Sequence, residues 1–100
     1  MTKNEAIEIA KRFKNLIDGK IEYDRVYLYG SYAKGEDRKF SDIDIAVVVN
    51  SCEKNYMDLV KTLWKLRREV DTRIEPILLI KNRDITGFYD EIKRTGEEIG

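Results

Sequence analysis

The 100-residue chain carries 19 lysines and arginines against 19 aspartates and glutamates, with no histidine and a single cysteine. These counts exclude Ser-His-Asp and Cys-His catalysis, histidine-ligated zinc, an internal disulfide and a cysteine cage for zinc. The zero net charge argues against a general nucleic-acid-coating role, because neutralising phosphate supplies most of that affinity.

The length suits one compact domain over residues 1–100, and the hydrophobic content of 42% fits a folded chain. The N-terminus is charged and helix-like, and no run approaches the ~18 apolar residues of a membrane span. With one thiol, Cys52, a soluble protein of the reducing cytoplasm is expected, with no membrane association.

Thr2 and Glu5 have the spacing of a capping box. Ala6, Ile9, Ala10, Phe13, Leu16 and Ile17 follow at helical intervals, and Gly19 is a C-terminal stop, so residues 3–18 are predicted to be an amphipathic helix. Arg25 to Tyr29 is a short strand ending at Gly30. Within it, Tyr27 and Tyr29 alternate with Val26 and Leu28, which puts the two sets on opposite faces. Residues 30–41 read as a turn and short helix, then a charged loop.

Ile43 to Val49 is the strongest strand, apolar on both faces after its start, and is expected at the centre of a sheet. Tyr56, Leu59, Val60, Leu63, Trp64, Leu66 and Val70 mark a second long helix, with Trp64 expected in the core. Arg73 to Ile80 is a third strand, and Pro76 within it points to an edge or a bulge. Phe88, Ile92, Thr95 and Ile99 fit a final helix. The alternation implies one sheet with helices packed against it.

Asp42 and Asp44 open the central strand. Alternate strand residues share a face about 6.6 Å apart, so both carboxylates point the same way. Like charges placed side by side call for a cation, and hard divalent ions such as Mg²⁺ take oxygen ligands of this type. The alternative is that Asp42 caps a neighbouring element while Asp44 lies in a solvated loop. Gly30-Ser31 follows the first strand directly. Glycine allows close approach of backbone to phosphate, and Ser31 adds a hydroxyl that, without histidine, binds rather than attacks. An ordinary Gly-Ser turn is the competing reading.

Together these residues form G-S-Y-A-K-G-E-D-R-K-F-S-D-I-D-I, Gly30 to Ile45. This segment resembles the active-site motif of the minimal nucleotidyltransferases (MNT), a branch of the DNA polymerase β-like nucleotidyltransferase superfamily: Gly-Ser, ten residues, then Asp-x-Asp. Ala33, Gly35 and Ser41 also match. The resemblance implies an α/β (α+β) fold, a small mixed sheet of three to four strands with helices packed against it. It also calls for a third carboxylate on the following strand. Glu75 occupies that place, with Asp71 as the fallback and a surface ion pair as the alternative reading of Glu75.

On this resemblance, Asp42, Asp44 and Glu75 are the catalytic and metal-binding residues for two Mg²⁺ ions. A nucleoside triphosphate such as ATP would lie with its β and γ phosphates against Gly30 and Ser31. Lys34, Arg38 and Lys39 are candidates for further phosphate contacts, with a solvated charged loop as the alternative. Such metal pairs, ~3.5–4 Å apart, stabilise the attacking and leaving oxygens together.

Larger relatives carry an extra domain for the acceptor, so a chain of this length is expected to find its acceptor on another polypeptide or at an oligomer interface. It resembles the antitoxin of HEPN/MNT toxin–antitoxin pairs, in which AMP is moved to a tyrosine of a HEPN-type toxin. The alternatives are transfer to a small molecule, or a silent module that neutralises its partner by contact. Tyr32 is a candidate for stacking on a base or for packing, and Tyr56, Phe88 and Tyr89 for a partner surface.

Overall fold

Helix α1, Lys3–Ile17, starts where Thr2, in extended conformation, accepts a hydrogen bond from the Glu5 N–H at 3.2 Å. The Thr2 hydroxyl in turn donates to Glu5 Oε1 at 3.3 Å, a variation on the reciprocal capping box. Asp18 ends the helix, and Gly19 follows with φ of 83°, the left-handed conformation that glycine adopts without steric cost. Ala6, Ala10, Phe13 and Ile17, spaced at one turn, are the buried face. The computed structural model describes residues 1–33, 42–51, 55–83 and 86–100.

Strands β1 (Arg25–Tyr29), β2 (Ile43–Val49), β3 (Ile74–Ile80) and β4 (Glu97–Glu98) form one sheet in the order β3-β2-β1-β4. β1 runs antiparallel to both β2 and β4, while β2 and β3 are parallel. The parallel crossover is made by α2, Tyr56–Leu66, and a 3₁₀ turn, Arg67–Glu69. Asn55 caps α2, its side-chain oxygen accepting from the Met57 N–H at 2.9 Å. A third helix, α3, spans Phe88–Thr95.

The strand periodicity divides the interior into two layers. Val26 and Leu28 of β1, Ile43, Ile45, Val47 and Val49 of β2, and Ile74 and Leu78 of β3 face α1 and α2. Tyr27, Ala46 and Val48 face Tyr89 and Ile92 of α3, with Tyr29, Ile77 and Leu79 at the margin. β2 is therefore covered on both sides, which explains its almost unbroken apolar run.

Pro76 sits on an edge strand, as expected of a residue with no N–H. The Ile43 N–H donates to Arg73 O and the Lys81 N–H to Val49 O, both at 2.9 Å. Odd-numbered residues of β3 thus turn their backbone groups toward β2, and the missing donor of Pro76 falls on the outer side.

Two expectations need correction. Trp64 is 38% exposed rather than in the core, because Leu63 and Leu66 supply the buried face of α2. Ile99 does not continue the final helix: after Gly96 the chain extends into β4, the Ile99 N–H donates to Val26 O at 2.8 Å, and the side chain joins the α1–α2 layer. Residues 31–33 form the expected turn, and the short helix and loop expected after it lie outside the described residues. Tyr32 is a core residue, 1% exposed. Among the described residues no helix is long and apolar enough to cross a membrane.

Candidate active site

The sheet register assembles the acidic cluster. Asp44 pairs with Tyr29 of β1 on one side and with Glu75 of β3 on the other. Adjacent strands lie about 4.8 Å apart, so the backbones carrying Asp44 and Glu75 are direct neighbours and both side chains leave the sheet on the α3 face. Asp42 precedes β2 by one residue and is exposed, while Asp44 and Glu75 are half-buried. One row further along, Tyr27, Ala46 and Ile77 pass under α3. The carboxylates therefore sit where the helical cover stops. Phe88 meets Tyr29 edge-to-face at 5.9 Å between ring centres at that boundary.

The electrostatics reflect this crowding. Burial, followed by the neighbouring charge of Asp42, raises the Asp44 carboxyl above its ordinary range. Glu75 is raised by burial, then by the charge of Asp42 and a hydrogen bond with it, and then by Asp44; Arg67 acts in the opposite direction. The Tyr29 hydroxyl is pushed up to about 12 by burial, with Asp44 and Glu75 contributing. Each shift means that the charged form is held at a cost, first because burial strips water from it and then because neighbouring negative groups converge on it.

Gly30 completes the arrangement. It ends β1 with φ of 77°, and a Cβ built there would stand 3.2 Å from Asp44 Cγ and overlap Oδ2. Only glycine lets the backbone lie against this carboxylate. Ser31 follows, half-buried, and the buried Tyr32 and Ala33 anchor the turn in the α1–α2 layer.

Asp71 belongs elsewhere. Its carboxylate accepts from Arg73 Nε at 3.0 Å, from Arg73 Nη2 at 2.7 Å and from the Arg73 N–H at 2.9 Å. These bonds hold its carboxyl below the usual range. Asp71 shapes the turn into β3, whereas Glu75 shares the register of Asp44. Lys34, Arg38, Lys39 and Ser41 lie outside the described residues, as does Cys52.

Two neighbours of the cluster carry no sequence signal as site residues. Tyr29 is in place because β1 and β2 pair antiparallel. Arg67 lies beside the start of β3, donating to the carbonyls of Thr72 and Ile74, the latter at 3.2 Å. Its link to Glu75 depends on the crossover geometry.

The donor set fits a hard divalent cation: oxygen ligands only, two of them raised by burial and then by neighbouring carboxylates. Among the described residues no three such side chains already close into a cage.

The Gly-Ser turn thus packs on the first strand-borne carboxylate of a mixed sheet, and residues 7–99 match the family Polymerase beta, Nucleotidyltransferase. The chain belongs to this family and is a nucleotidyltransferase. Among proteins it is similar to is "Putative protein adenylyltransferase MJ0141" of Methanocaldococcus jannaschii, 35% identical over 99 residues covering 95% of this chain and 99% of the relative. "Putative protein adenylyltransferase MJ1379" of the same organism is 33% identical over 69 residues, 65% of this chain and 69% of the relative.

Two solved structures share the fold. A putative nucleotidyltransferase from Sulfolobus solfataricus superposes with a TM-score of 0.67 at 21% identity, over 97% of this chain and 79% of that one. A chain of the toxin–antitoxin MntA-HpeT, solved as a mutant, gives a TM-score of 0.54 at 20% identity, over 100% of this chain and 73% of that one.

Proposed function

We propose that this protein is a Mg²⁺-dependent enzyme that moves AMP from ATP to a hydroxyl of a partner protein, as the cytoplasmic antitoxin of a HEPN/MNT pair. The observation that carries the reading is the contact of the Gly30 backbone with the Asp44 carboxylate, with Glu75 in register beside it. The names of the two Methanocaldococcus relatives support a protein acceptor, and the MntA-HpeT likeness supports a toxin partner.

In this reading Asp42 and Asp44 hold the metal and Glu75 contributes to it on the acceptor side. Bound Mg²⁺ supplies charge neutralisation on the triphosphate and acidifies the acceptor hydroxyl. Gly30 and Ser31 bind the β and γ phosphates through a backbone N–H and a hydroxyl. Lys34 and Arg38 add cationic contacts to the same phosphates. The acceptor oxygen attacks the α-phosphorus in line, its proton passes to Glu75, and the bond to the β-phosphate breaks to release pyrophosphate.

The test is to incubate the protein with the product of the adjacent reading frame, ATP and Mg²⁺, and to weigh the partner by mass spectrometry. A gain of one AMP unit, lost when Asp42 and Asp44 are both changed to Asn, is the expected result. Pyrophosphate release with no mass gain on any protein would sink the protein-acceptor reading.

A further inference from the structure

Among the described residues the large hydrophobic side chains left exposed are Tyr56 (41%), Met57 (53%), Trp64 (38%) and Phe88 (38%). Tyr56 and Phe88 line one cleft, and Trp64 lies about two turns along α2 from Tyr56. Tyr56, Val60, Trp64 and Arg67 recur at helical spacing on one flank of α2 and the turn after it. That flank borders the outer edge of β3: the Tyr56 hydroxyl donates to Leu78 O at 2.7 Å, and Arg67 Nη1 donates to Ile74 O at 3.2 Å. The Arg67 guanidinium lies 4.4 Å from the centre of the Trp64 ring. Beyond Tyr56 the edge opens into a cleft of about 400 Å³, lined by Leu78 to Ile80, Arg83 and the aromatic rings of Phe88 and Tyr89.

The strip has a sign as well as a shape. Lys61 and Arg68 flank Trp64 at one helical turn, and Arg83 lines the cleft. None of the three has a carboxylate partner among the described residues; the same holds for Arg12, Lys14, Lys20, Lys65 and Arg94, so what sets these three apart is their place beside exposed aromatic rings. Cations without a carboxylate partner among the described residues, set beside exposed aromatics, give the strip a positive sign that complements an acidic partner.

We propose that this edge docks the acceptor protein, which meets it with an apolar segment flanked by carboxylates; this rests on the protein-acceptor reading above. Glu75 projects from the same strand, three residues before Leu78, roughly 10 Å along it. A segment seated on the strip thus delivers a side-chain hydroxyl to the carboxylate cluster. The aliphatic floor from Leu78 to Ile80 receives apolar side chains, which distinguishes it from a phosphate-binding groove.

Trp64 is the only tryptophan, so its emission reports on the strip directly. The full chain is titrated with a short amphipathic peptide bearing leucine and tyrosine on one face and glutamate on the other. The same peptide with lysine for glutamate and a single-stranded oligoribonucleotide are titrated in parallel. The acidic peptide is expected to shift the emission to shorter wavelength, with affinity falling about tenfold in the exposed double variant Lys61→Glu/Arg68→Glu. No shift with any probe overturns the proposal, as does equal or tighter binding of the basic peptide or the RNA. A shift produced by concentrating the protein alone replaces the acceptor with a second copy.

Binding here needs neither ATP nor catalysis. Docking without AMP transfer to any protein therefore removes the protein-acceptor reading alone. Transfer by the double variant with an unchanged KM for the partner protein removes the docking surface alone.

Discussion

Gly30 and Asp44 touch across the β1–β2 pair so closely that residue 30 has no room for a side chain: a Cβ there would lie 3.2 Å from Asp44 Cγ. The contact joins the end of one strand to the start of the next, and it makes the Gly-Ser turn and the Asp-x-Asp pair a single unit.

Gly30→Ala is therefore expected to lose on two counts. Its φ of 77° is left-handed, which costs a non-glycine residue about 1 kcal/mol or more, and its methyl group displaces Asp44. Gly19 has a similar φ of 83°, but a Cβ at that position would meet nothing within 4 Å, so Gly19→Ala is the control. Thermal melts should show both variants destabilised. Nucleotidyl transfer should fall by about 100-fold only for Gly30→Ala, since misplacing a catalytic group by an ångström is sufficient for that loss. Equal activity in the two variants would contradict the coupling.

Asp44→Asn should raise the thermal stability of the metal-free protein near neutral pH while abolishing transfer. The Asp44 carboxyl is raised in the folded state, so the fold binds that proton more tightly than the unfolded chain. The associated stability is complete below the unfolded pKa and is lost as pH rises through the folded one. The variant's advantage should accordingly shrink on acidification and vanish below about pH 4, near the unperturbed value of aspartate. Added Mg²⁺ with ATP should raise the melting temperature of the wild type and leave the variant unmoved.

Asp71 and Glu75 should separate cleanly. Asp71 is lowered by Arg73, so its contribution is present at neutral pH and disappears as pH falls through its folded pKa. Asp71→Asn is expected to cost about 1 kcal/mol, as a partly exposed pair does, and to leave transfer within about threefold. Glu75→Gln should hold or gain stability and lose transfer. Urea titrations beside a pyrophosphate-release assay distinguish the two, and the opposite pattern would make Asp71 the third carboxylate.

Leu63 and Trp64 are adjacent in α2 and opposite in consequence. Leu63 is fully buried and Trp64 is 38% exposed. Leu63→Ala should cost about 2–5 kcal/mol through cavity formation, and Trp64→Ala under about 1 kcal/mol. Denaturant midpoints check the difference, and a larger loss at Trp64 would place it in the core after all.

Much of this was legible in local pattern. Thr2, Glu5 and Gly19 bounded the first helix because caps act over three or four residues. The alternation in Arg25–Tyr29 and the apolar run Ile43–Val49 marked two strands covered on both faces because side chains leave a strand on alternate sides. Pro76 announced an edge because it lacks a donor. Trp64 and Ile99 misled because an amphipathic stripe fixes a direction without saying where the opposing layer ends. The two-residue strand β4 has too few residues to show a period, and it exists because Leu28 and Tyr27 offer it a backbone ladder.

The sequence by itself excluded histidine chemistry within these 100 residues, and it put Gly30, Ser31, Asp42 and Asp44 at a spacing that resembles a known site. Tertiary structure alone decided that Glu75 stands beside Asp44 while Asp71 turns away to Arg73. It also decided that the exposed aromatics line the β3 edge. Those outcomes follow from strand register and the path of the α2 crossover, and both are set by the packing of the whole sheet, which no local stretch of residues encodes.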